Sequence, residues 1–591
     1  MDEEANTPLP PPPRFPTLRV GLASAVALWL AQPPVGWWPL AWVAPMGWLW
    51  IARRAEPLDR GDWLRVYLSG VVYWLLAVHW IRLPHPLTIL GWPILCAYLG
   101  LYPLAFVWLT RVGLRRARVP LWLVAPVVWT GLEFLQANLF TGFLMGAVSH
   151  SQVDRPSIAW ISGYIGAYGV SFVVLLWVSL MTHAISSREA YYIAPKFSVG
   201  VLLAVSLLCP WIFFSVATDR NAELQNSIER LKEDMLAADQ GSISARFIVA
   251  LIQGNTLATW DPDPERSQKI MDAQVRLSIE AVERAEAEGK QLDLIVWPES
   301  MFRVALDTFD GQFAPPPGTH EGLVDSSEHC KAWFRSLAAK LETPVLVGID
   351  HYDWKPDPVD PDGLPQADSY NSAVLADAEG KLLSVYNKTH RVPFGEYIPL
   401  AGGMPALYFL TPMSGGLKPG EGPVAMELLT KSGDTVRLAP SICFETAVPQ
   451  VIRSHVAELT DQGGAPNLLV NVTNDAWFWG SSELDTHLAC AQFRAIETGT
   501  PMIVAANGGL SAVISATGEV LAVSGRMQEE VVLADVPLRI SQEPTPYVRY
   551  GDWFAIGCLL ACGLLAIMAL LQKRREPQIN TDEHGSEDES S

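Results

Sequence analysis

The segment VRLAPSIC at residues 436–443 has the pattern of a buried β-strand that ends on a cysteine. Two other segments have the same form: LIVWPE at 294–299 ends on a glutamate, and LLSVYNK at 382–388 ends on a lysine. A scaffold of this kind presents functional groups to a pocket where its strands end. The three segments therefore predict one site that combines a thiol, a carboxylate and an ammonium group.

Strand and helix patterns alternate on both sides of these segments. Such alternation, followed by hairpins, predicts a layered α/β sandwich. Residues 353–366 are rich in proline and aspartate and predict an exposed loop. Strands are predicted at 246–252, 292–297, 344–349, 372–376, 382–387, 436–443, 467–473, 502–506 and 511–515. Helices are predicted at 267–288, 329–341, 448–459 and 487–497.

Apolar residues are concentrated in the first 217 residues and in a short stretch near the end of the 591-residue chain. Residues 245–540 have the mixed composition of a globular domain large enough to bury a core. The net charge of −20 argues against nucleic acid as a partner. The seven cysteines include no pair with metal-ligand spacing, so we predict no metal and no other cofactor.

A helix needs ~20 apolar residues to cross a membrane, and the sequence offers eight candidate runs. The first two are short and are separated by Pro33 and Pro34, which predicts a hairpin. Glu133 lies inside the fifth run, where a charge is costly, and it is either functional or a hydrogen-bonded structural glutamate between helices. The runs are 17–32, 36–52, 63–82, 88–110, 119–140, 157–184, 195–217 and 552–571.

Lysine and arginine residues predict the orientation because they stay on the cytoplasmic side. Their clusters precede the first run and follow the second, fourth, sixth and eighth, so all fall on one side if both termini are cytoplasmic. The globular domain then lies on the periplasmic face of a bacterial inner membrane. The predicted parts are a cytoplasmic N-terminal segment (1–16), a seven-helix membrane domain (17–217), a periplasmic catalytic domain (218–550), a closing membrane helix (551–571) and an acidic cytoplasmic tail (572–591).

The three strand-end groups are suited to covalent acyl transfer. A thiol becomes a strong nucleophile only after deprotonation, and Glu299 in a dry site is a candidate base for Cys443. The cation of Lys388 favours the thiolate and stabilises a developing oxyanion, and the backbone N–H of Phe444 offers a second donor. A thioester and a two-step transfer follow from this arrangement. Each residue alone has a commoner structural role, so the prediction depends on the set.

The words around these residues resemble the signature segments of the nitrilase superfamily, and they occur in the same order. More narrowly, the chain resembles the apolipoprotein N-acyltransferases from about residue 17 to residue 571. The superfamily words are WPES at 297–300, YNKTHRVPFGEYIPL at 386–400 and CFE at 443–445. The narrower resemblance is carried by GLEFLQANLFTGF at 131–143, IQGN at 252–255, NVTNDAWFWG at 471–480, HLACAQFRAIETGTPMIVAANGGLSAVI at 487–514 and TPYVRYGDW at 545–553.

This resemblance implies an α-helical membrane domain of eight transmembrane helices joined to a nitrilase-like four-layer α/β sandwich. It implies that an acyl chain moves from a membrane phospholipid to the cysteine, and then to the N-terminal amine of the diacylglyceryl-cysteine of an apolipoprotein. Glu299 is then the base, Lys388 the oxyanion stabiliser and Cys443 the nucleophile. The resemblance also implies supporting roles for Glu396, Glu445 and Asn371, and substrate contacts for Trp260 and Trp477, for which core packing is the alternative.

Three positions depart from the family's pattern. Phe444 stands where the family usually has tyrosine, so the backbone donor is kept and a phenol hydroxyl near the site is lost. In the membrane part, Gln136 and Ala137 replace arginine and glycine, and Leu144 and Met145 replace proline and tryptophan. All members of the predicted triad are retained.

Alternative functions stay open at this point. A membrane-tethered nitrilase-type amidase would use the same triad but release its acyl group to water. A catalytically silent lipoprotein-binding protein would need no nucleophile, and a transporter is supported only by Glu133 and the number of helices. Loss of lipoprotein acylation in a folded Cys443→Ala protein would separate an acyltransferase from a binder or a transporter.

Overall fold

The computed structural model describes residues 16–186, 246–259, 263–359, 365–399, 404, 416–539 and 543–573. The predicted N-terminal segment, the predicted membrane run at 195–217 and nearly all of the acidic tail lie outside these residues. Trp260, one of the two tryptophans predicted to contact substrate, also lies outside them.

Helices occupy each predicted membrane run that falls within the described residues, but several runs are broken. The run 88–110 consists of two helices that meet at Gly100, and the run 36–52 is a 3-10 turn followed by a helix of eight residues. The helices of this half are α1 (Thr17–Ala31), α2 (Met46–Arg53), α3 (Arg60–Ala77), α4 (Thr88–Leu99), α5 (Leu101–Arg115), α6 (Leu121–Asn138), α7 (Pro156–Ala159), α8 (Ser162–Ile165) and α9 (Ala167–Ser186).

Three helical stretches among the described residues are long and apolar enough to cross a membrane: Thr88–Arg115, Ala167–Ile185 and Trp553–Leu571. Helix α1 is apolar but has only 15 residues. The helices pack around a common apolar core. The helical character of this half is therefore confirmed, whereas the number of eight spans stays a prediction.

The last described helix, Trp553–Lys573, packs against α6 at a glycine. A Cβ atom on Gly131 would lie 2.7 Å from the carbonyl oxygen of Cys558. Small residues at such crossings allow helix backbones to approach closely in a membrane. The absence of a side chain at Gly131 thus allows the closing helix to pack closely against α6.

Glu133 is buried on α6 and makes structural contacts. Its Oε1 accepts hydrogen bonds from the indole N–H of Trp129 at 2.9 Å and from the backbone N–H of Val148 at 3.2 Å. These bonds tie α6 to the segment that follows it. They agree with the hydrogen-bonded structural alternative for this residue.

The globular half contains two sheets among the described residues. In the first sheet the strand order is β13-β1-β2-β4-β5-β6, with β3 also paired to β4, and in the second it is β12-β11-β10-β9-β8-β7. The strands are β1 (Arg246–Gln253), β2 (Leu294–Val296), β3 (Phe302–Phe309), β4 (Val345–Val359), β5 (Pro365–Ala376), β6 (Leu382–Asn387), β7 (Met426–Leu429), β8 (Thr435–Ile442), β9 (Leu468–Asn474), β10 (Met502–Asn507), β11 (Ala512–Ile514), β12 (Val520–Val523) and β13 (Glu530–Pro537).

The two sheets and their helices form four layers. The sheets pack face to face through a fully buried apolar cluster to which both contribute, for example Leu346 from β4 and Leu438 from β8. One pair of helices covers the outer face of the first sheet and a second pair covers the second sheet. The first pair is α10 (Pro264–Ala287) and α11 (Glu321–Leu341), the second is α12 (Pro449–Asp461) and α13 (Glu483–Thr498), and the described residues end with α14 (Pro546–Tyr550) and α15 (Trp553–Lys573). The predicted α/β sandwich is confirmed.

The predicted exposed loop at residues 353–366 is wrong at both of its ends, and residues 360–364 lie outside the described residues. Strand β4 continues to Val359 and β5 begins at Pro365, and Asp353 pairs with Asp368 across this hairpin. Asp353 is buried, and its Oδ1 accepts hydrogen bonds from the hydroxyl of Thr308 and the backbone N–H of Gly311. Partners on β3 and in the turn after it therefore stabilise an extended conformation that the composition does not favour.

The carboxyl ends of four strands meet at one edge of the sandwich. Strand β2 is parallel to β4, while β5 is antiparallel to both β4 and β6, so that β6 runs in the same direction as β2 and β4. In the second sheet, β8 and β9 are parallel. The segments after β2, β6, β8 and β9 carry the polar side chains of the candidate site.

Candidate active site

The structure brings Glu299, Lys388 and Cys443 together. Glu299 is 8% exposed and Lys388 only 1%. The Nζ atom of Lys388 lies 3.6 Å from the Oε1 atom of Glu299, and the charges of both residues act on the thiol of Cys443. The three groups thus share one site between the two sheets, in which Glu299 and Lys388 are buried and Cys443 is partly exposed.

The carboxylate of Glu299 is held by two hydrogen bonds. Asn371 donates from Nδ2 to Oε1 at 2.6 Å, and the backbone N–H of Asn474 donates to Oε2 at 2.9 Å. Burial raises the pKa of Glu299, although the neighbouring Lys388 opposes this shift. A carboxylate whose pKa is moved towards neutrality is suited to general base catalysis.

Lys388 forms a closer ion pair with Glu396 than with Glu299. Its Nζ donates to Glu396 Oε1 at 2.8 Å, and the other oxygen of Glu396 accepts from the backbone N–H of Val392 at 2.8 Å. Burial lowers the pKa of Lys388, but the two carboxylates outweigh burial and raise it above its ordinary value. Lys388 is therefore a permanent cation. Asn371 also donates to Glu396, at 2.9 Å, so one amide contacts both carboxylates.

Glu445 connects the segment of Lys388 to the turn of Cys443. It is fully buried, and its Oε2 accepts from the backbone N–H of Ile442 at 2.7 Å. Its Oε1 accepts from the backbone N–H groups of Thr389 and His390 at 2.8 and 2.9 Å, and the hydroxyl of Tyr386 contacts both oxygens at 2.8 Å. One carboxylate thus fixes the residues that flank Lys388 and Cys443.

Cys443 lies in a sharp turn rather than in the strand where the sequence predicts it. Strand β8 ends at Ile442, and Cys443 begins a 3-10 helix at Cys443–Ala447 with a φ of 52°. Burial and the charge of Glu299 raise the pKa of its thiol well above the ordinary value, while Lys388 and a hydrogen bond with Thr473 oppose the shift. The resting side chain is therefore a thiol, and it needs a base to become a nucleophile.

The remaining predicted residues are placed as follows. The ring of Phe444 is partly buried and stacks on His390 with centroids 6.0 Å apart. Trp477 is half-buried in the 3-10 helix Asp475–Phe478, directly after β9. The structure therefore leaves the predicted substrate contact of Trp477 untested, and Trp260 lies outside the described residues.

Sequence reasoning missed a buried group beside the cysteine. His487 from α13 lies 3.2 Å from Asp475 and 3.8 Å from Glu483, measured from its Nδ1 to a carboxylate oxygen of each residue. One carboxylate oxygen of Asp475, one of Glu483 and a ring nitrogen of His487 all lie within 4.8 Å of one another. A metal ion could also bridge atoms at this spacing. The order NVTNDAWFWG before HLACAQFRAIE offered a signal, because it places an aspartate and a histidine near the end of a buried strand.

These features define a class of protein. A thiol, a carboxylate and an ammonium group at strand ends of a four-layer α/β sandwich are those of the carbon-nitrogen hydrolases, and the carbon-nitrogen hydrolase family matches residues 248–543. A second match, to the apolipoprotein N-acyltransferase N-terminal domain, covers residues 24–181. The two matches lie on the two halves of the chain.

Relatives from several bacteria are similar over nearly the whole length. The apolipoprotein N-acyltransferase of Rhodopirellula baltica is 31% identical, with 94% of this chain and 98% of the relative aligned. That of Geobacter metallireducens is 30% identical, with 94% and 95% aligned, and that of Pasteurella multocida is 27% identical, with 95% and 96% aligned. The chain belongs to the apolipoprotein N-acyltransferase family, and it is an acyltransferase.

Proposed function

We propose that this enzyme transfers an acyl chain from a membrane phospholipid, through a thioester on Cys443, to the N-terminal amine of the diacylglyceryl-cysteine of an apolipoprotein. The observation that carries the proposal is the buried carboxylate of Glu299 beside the ammonium of Lys388, with both charges acting on one thiol. Membership of the family supports N-acylation of lipoproteins as the overall reaction.

In the first half of the reaction, Glu299 takes the proton of the Cys443 thiol. The thiolate attacks the ester carbonyl of the phospholipid, and Lys388 stabilises the oxyanion together with the backbone N–H of Phe444. The C–O bond then breaks, the proton passes from Glu299 to the leaving alkoxide, and a lysophospholipid departs. The acyl group remains on sulfur as a thioester.

In the second half, the α-amine of the acceptor attacks the thioester. Glu299 takes a proton from this amine as the C–N bond forms, and the C–S bond breaks. The proton then returns to sulfur, so that the amide product leaves and the thiol is regenerated. Asn371, Glu396 and Glu445 keep the charged groups in place through both steps, because each is hydrogen bonded to the triad or to its flanking backbone.

Contacts between the two halves of the chain support an active site at membrane level. Trp80, from the helical half, packs edge-on against Phe478 with centroids 5.1 Å apart. The side chain of Gln450 donates to the carbonyl of Ala137 at 2.7 Å, and the backbone N–H of Ala167 donates to Glu497 at 2.8 Å. We place the globular half on the periplasmic side of the inner membrane, where both the phospholipid donor and the lipid-anchored acceptor reside.

A carbon-nitrogen hydrolase that releases its acyl group to water is the second candidate, and the match over residues 248–543 favours it. The two functions differ in what resolves the thioester. Intact-protein mass spectrometry of the purified enzyme with phospholipid and no acceptor makes this distinction.

For a transferase, we expect a mass gain of one fatty acyl group that is absent from Cys443→Ala. A diacylglyceryl-cysteine peptide should discharge it much faster than water does. An adduct that water clears as fast as the peptide would identify a hydrolase. Failure of the folded enzyme to form any adduct would overturn the thioester.

A further inference from the structure

We propose that His487 is a positioning residue that holds the backbone of Cys443 in the left-handed conformation from which its thiol meets Glu299 and Lys388. This inference rests on the proposed role of Cys443 as the nucleophile. It adds a residue of α13, far along the chain from the triad, to the machinery of acyl transfer.

The backbone of Cys443 needs such support. Its φ of 52° lies in the left-handed region, which is unfavourable for a residue with a side chain and persists only when the surroundings stabilise it. Its carbonyl oxygen lies 3.2 Å from Nε2 of His487 and accepts from the hydroxyl of Thr446 at 3.1 Å. The imidazole also contacts that hydroxyl, at 2.7 Å. The amide of Asn471 donates to the same oxygen at 3.5 Å, so three side chains converge on the carbonyl that fixes the direction of the turn.

His487 is itself fixed from the opposite side. Its Nδ1 lies 3.2 Å from Asp475 Oδ1, so its two nitrogens face a carboxylate and a carbonyl, both of which accept hydrogen bonds. An imidazole between two acceptors uses both N–H groups and is therefore protonated. Burial lowers the pKa of His487, but Asp475 and Glu483 outweigh burial and raise it to about 9.

Asp475 is held by a further residue. The hydroxyl of Thr473 donates to Asp475 Oδ1 at 2.7 Å. Thr473 also lowers the pKa of the Cys443 thiol, against the effect of burial. Loss of the imidazole removes a support of the Cys443 carbonyl, while Thr473, Asp475 and the triad remain.

The test measures the rate of acyl-enzyme formation by intact-protein mass spectrometry, using the full chain in detergent with phospholipid as the only substrate. We expect His487→Ala to slow this step about 10²-fold at saturating phospholipid, because small misplacements of a nucleophile are costly, and to leave the phospholipid concentration at half-saturation unchanged. His487→Gln, whose amide can donate where Nε2 did, should recover at least part of the loss. The matched control is His351→Gln, a histidine equally buried whose ring contacts Thr308 and Asn387.

A merely structural role for His487 predicts a different pattern. Both buried-histidine variants would then lose thermal stability, and the rate per folded molecule would stay at the wild-type value. That result, or a His487→Ala enzyme that forms the thioester at the wild-type rate, would overturn the inference. If wild-type enzyme forms no thioester, the proposed function itself has failed, so the two failures are distinguishable.

Discussion

The Nζ atom of Lys388 lies 3.6 Å from the Oε1 atom of Glu299, and both groups are shielded from water. In a dry site each charge depends on the other, because an unpaired buried charge is costly. Glu396 supplies the second negative charge at 2.8 Å, so the cation stands between two carboxylates. Removing the cation would leave the buried carboxylate of Glu299 without its nearest positive charge.

Lys388→Met tests the electrostatic role of this cation. We expect acyl-enzyme formation to slow by about 10²- to 10³-fold, the usual effect of removing one oxyanion donor. The pKa of Glu299 should also rise further, since its nearest positive charge is lost. The rate is measured by mass spectrometry of the thioester. Lys388→Arg should not restore it, because a guanidinium does not fit where the lysine is 1% exposed. If Lys388→Met formed the acyl-enzyme at a rate within threefold of wild type, the role of Lys388 as oxyanion stabiliser would be contradicted.

The pH dependence of thioester formation follows from Glu299. Burial raises its pKa, so the base becomes ionised only above the ordinary range of a glutamate, which is about 4.3. We expect the rate to rise with pH through a midpoint above that value, a midpoint that belongs to the coupled site as a whole. A rate that is already maximal at pH 4.5 would contradict the assignment.

The same shift predicts how stability responds to acid. A group whose folded pKa is raised binds its proton more tightly in the folded state, so its contribution to stability is present at low pH and is lost as pH rises through the folded pKa. Glu299 therefore does not promote unfolding when it is protonated. Activity should fall on acidification before the circular dichroism spectrum changes, and it should return on neutralisation. If activity and the circular dichroism signal were lost together, unfolding rather than protonation of Glu299 would explain the loss of activity.

Glu445→Gln tests the carboxylate that joins two active-site segments. A glutamine would turn an NH₂ group towards backbone N–H groups that now donate to Glu445, leaving buried donors unpaired. We expect a loss of about 1–3 kcal/mol in the free energy of unfolding for the unsatisfied groups, together with slower thioester formation. Thermal unfolding in detergent measures the first effect. Unchanged stability and rate would show that the segments are held by other contacts.

The proximity of the three residues was predictable because each follows a strand whose apolar pattern is local to the sequence. The words around Glu299, Lys388 and Cys443 also carry a family resemblance that extends along the chain. The left-handed turn at Cys443 was not predictable in this way, since its backbone is held by Thr446 and by His487, which lies 44 residues further on. Contacts over such separations have no local signature.

In the membrane half, the sequence predicted where the apolar runs lie but not where the helices end. Hydropathy locates apolar runs but does not specify where a helix ends, so the break at Gly100 between α4 and α5 was missed. Similarly, residues 353–359 were predicted as part of a loop because of their aspartates and prolines, yet buried partners of Asp353 keep them in β4. In the case of Asp353, tertiary contacts outweigh local composition.

Gly131→Ala tests the crossing between α6 and α15. The new Cβ would lie 2.7 Å from the backbone oxygen of Cys558, which is closer than real contacts allow, so one helix must shift. We expect a cost of about 1–3 kcal/mol from overpacking and a lower unfolding temperature in detergent. The matched control is Gly563→Ala on α15, where a Cβ would meet nothing within 4 Å. That variant should be neutral or slightly stabilising, since alanine favours helix by about 1 kcal/mol over glycine. Equal behaviour of the two variants would mean that the closing helix does not pack on α6 as described, because only the first substitution places an atom against the opposite backbone.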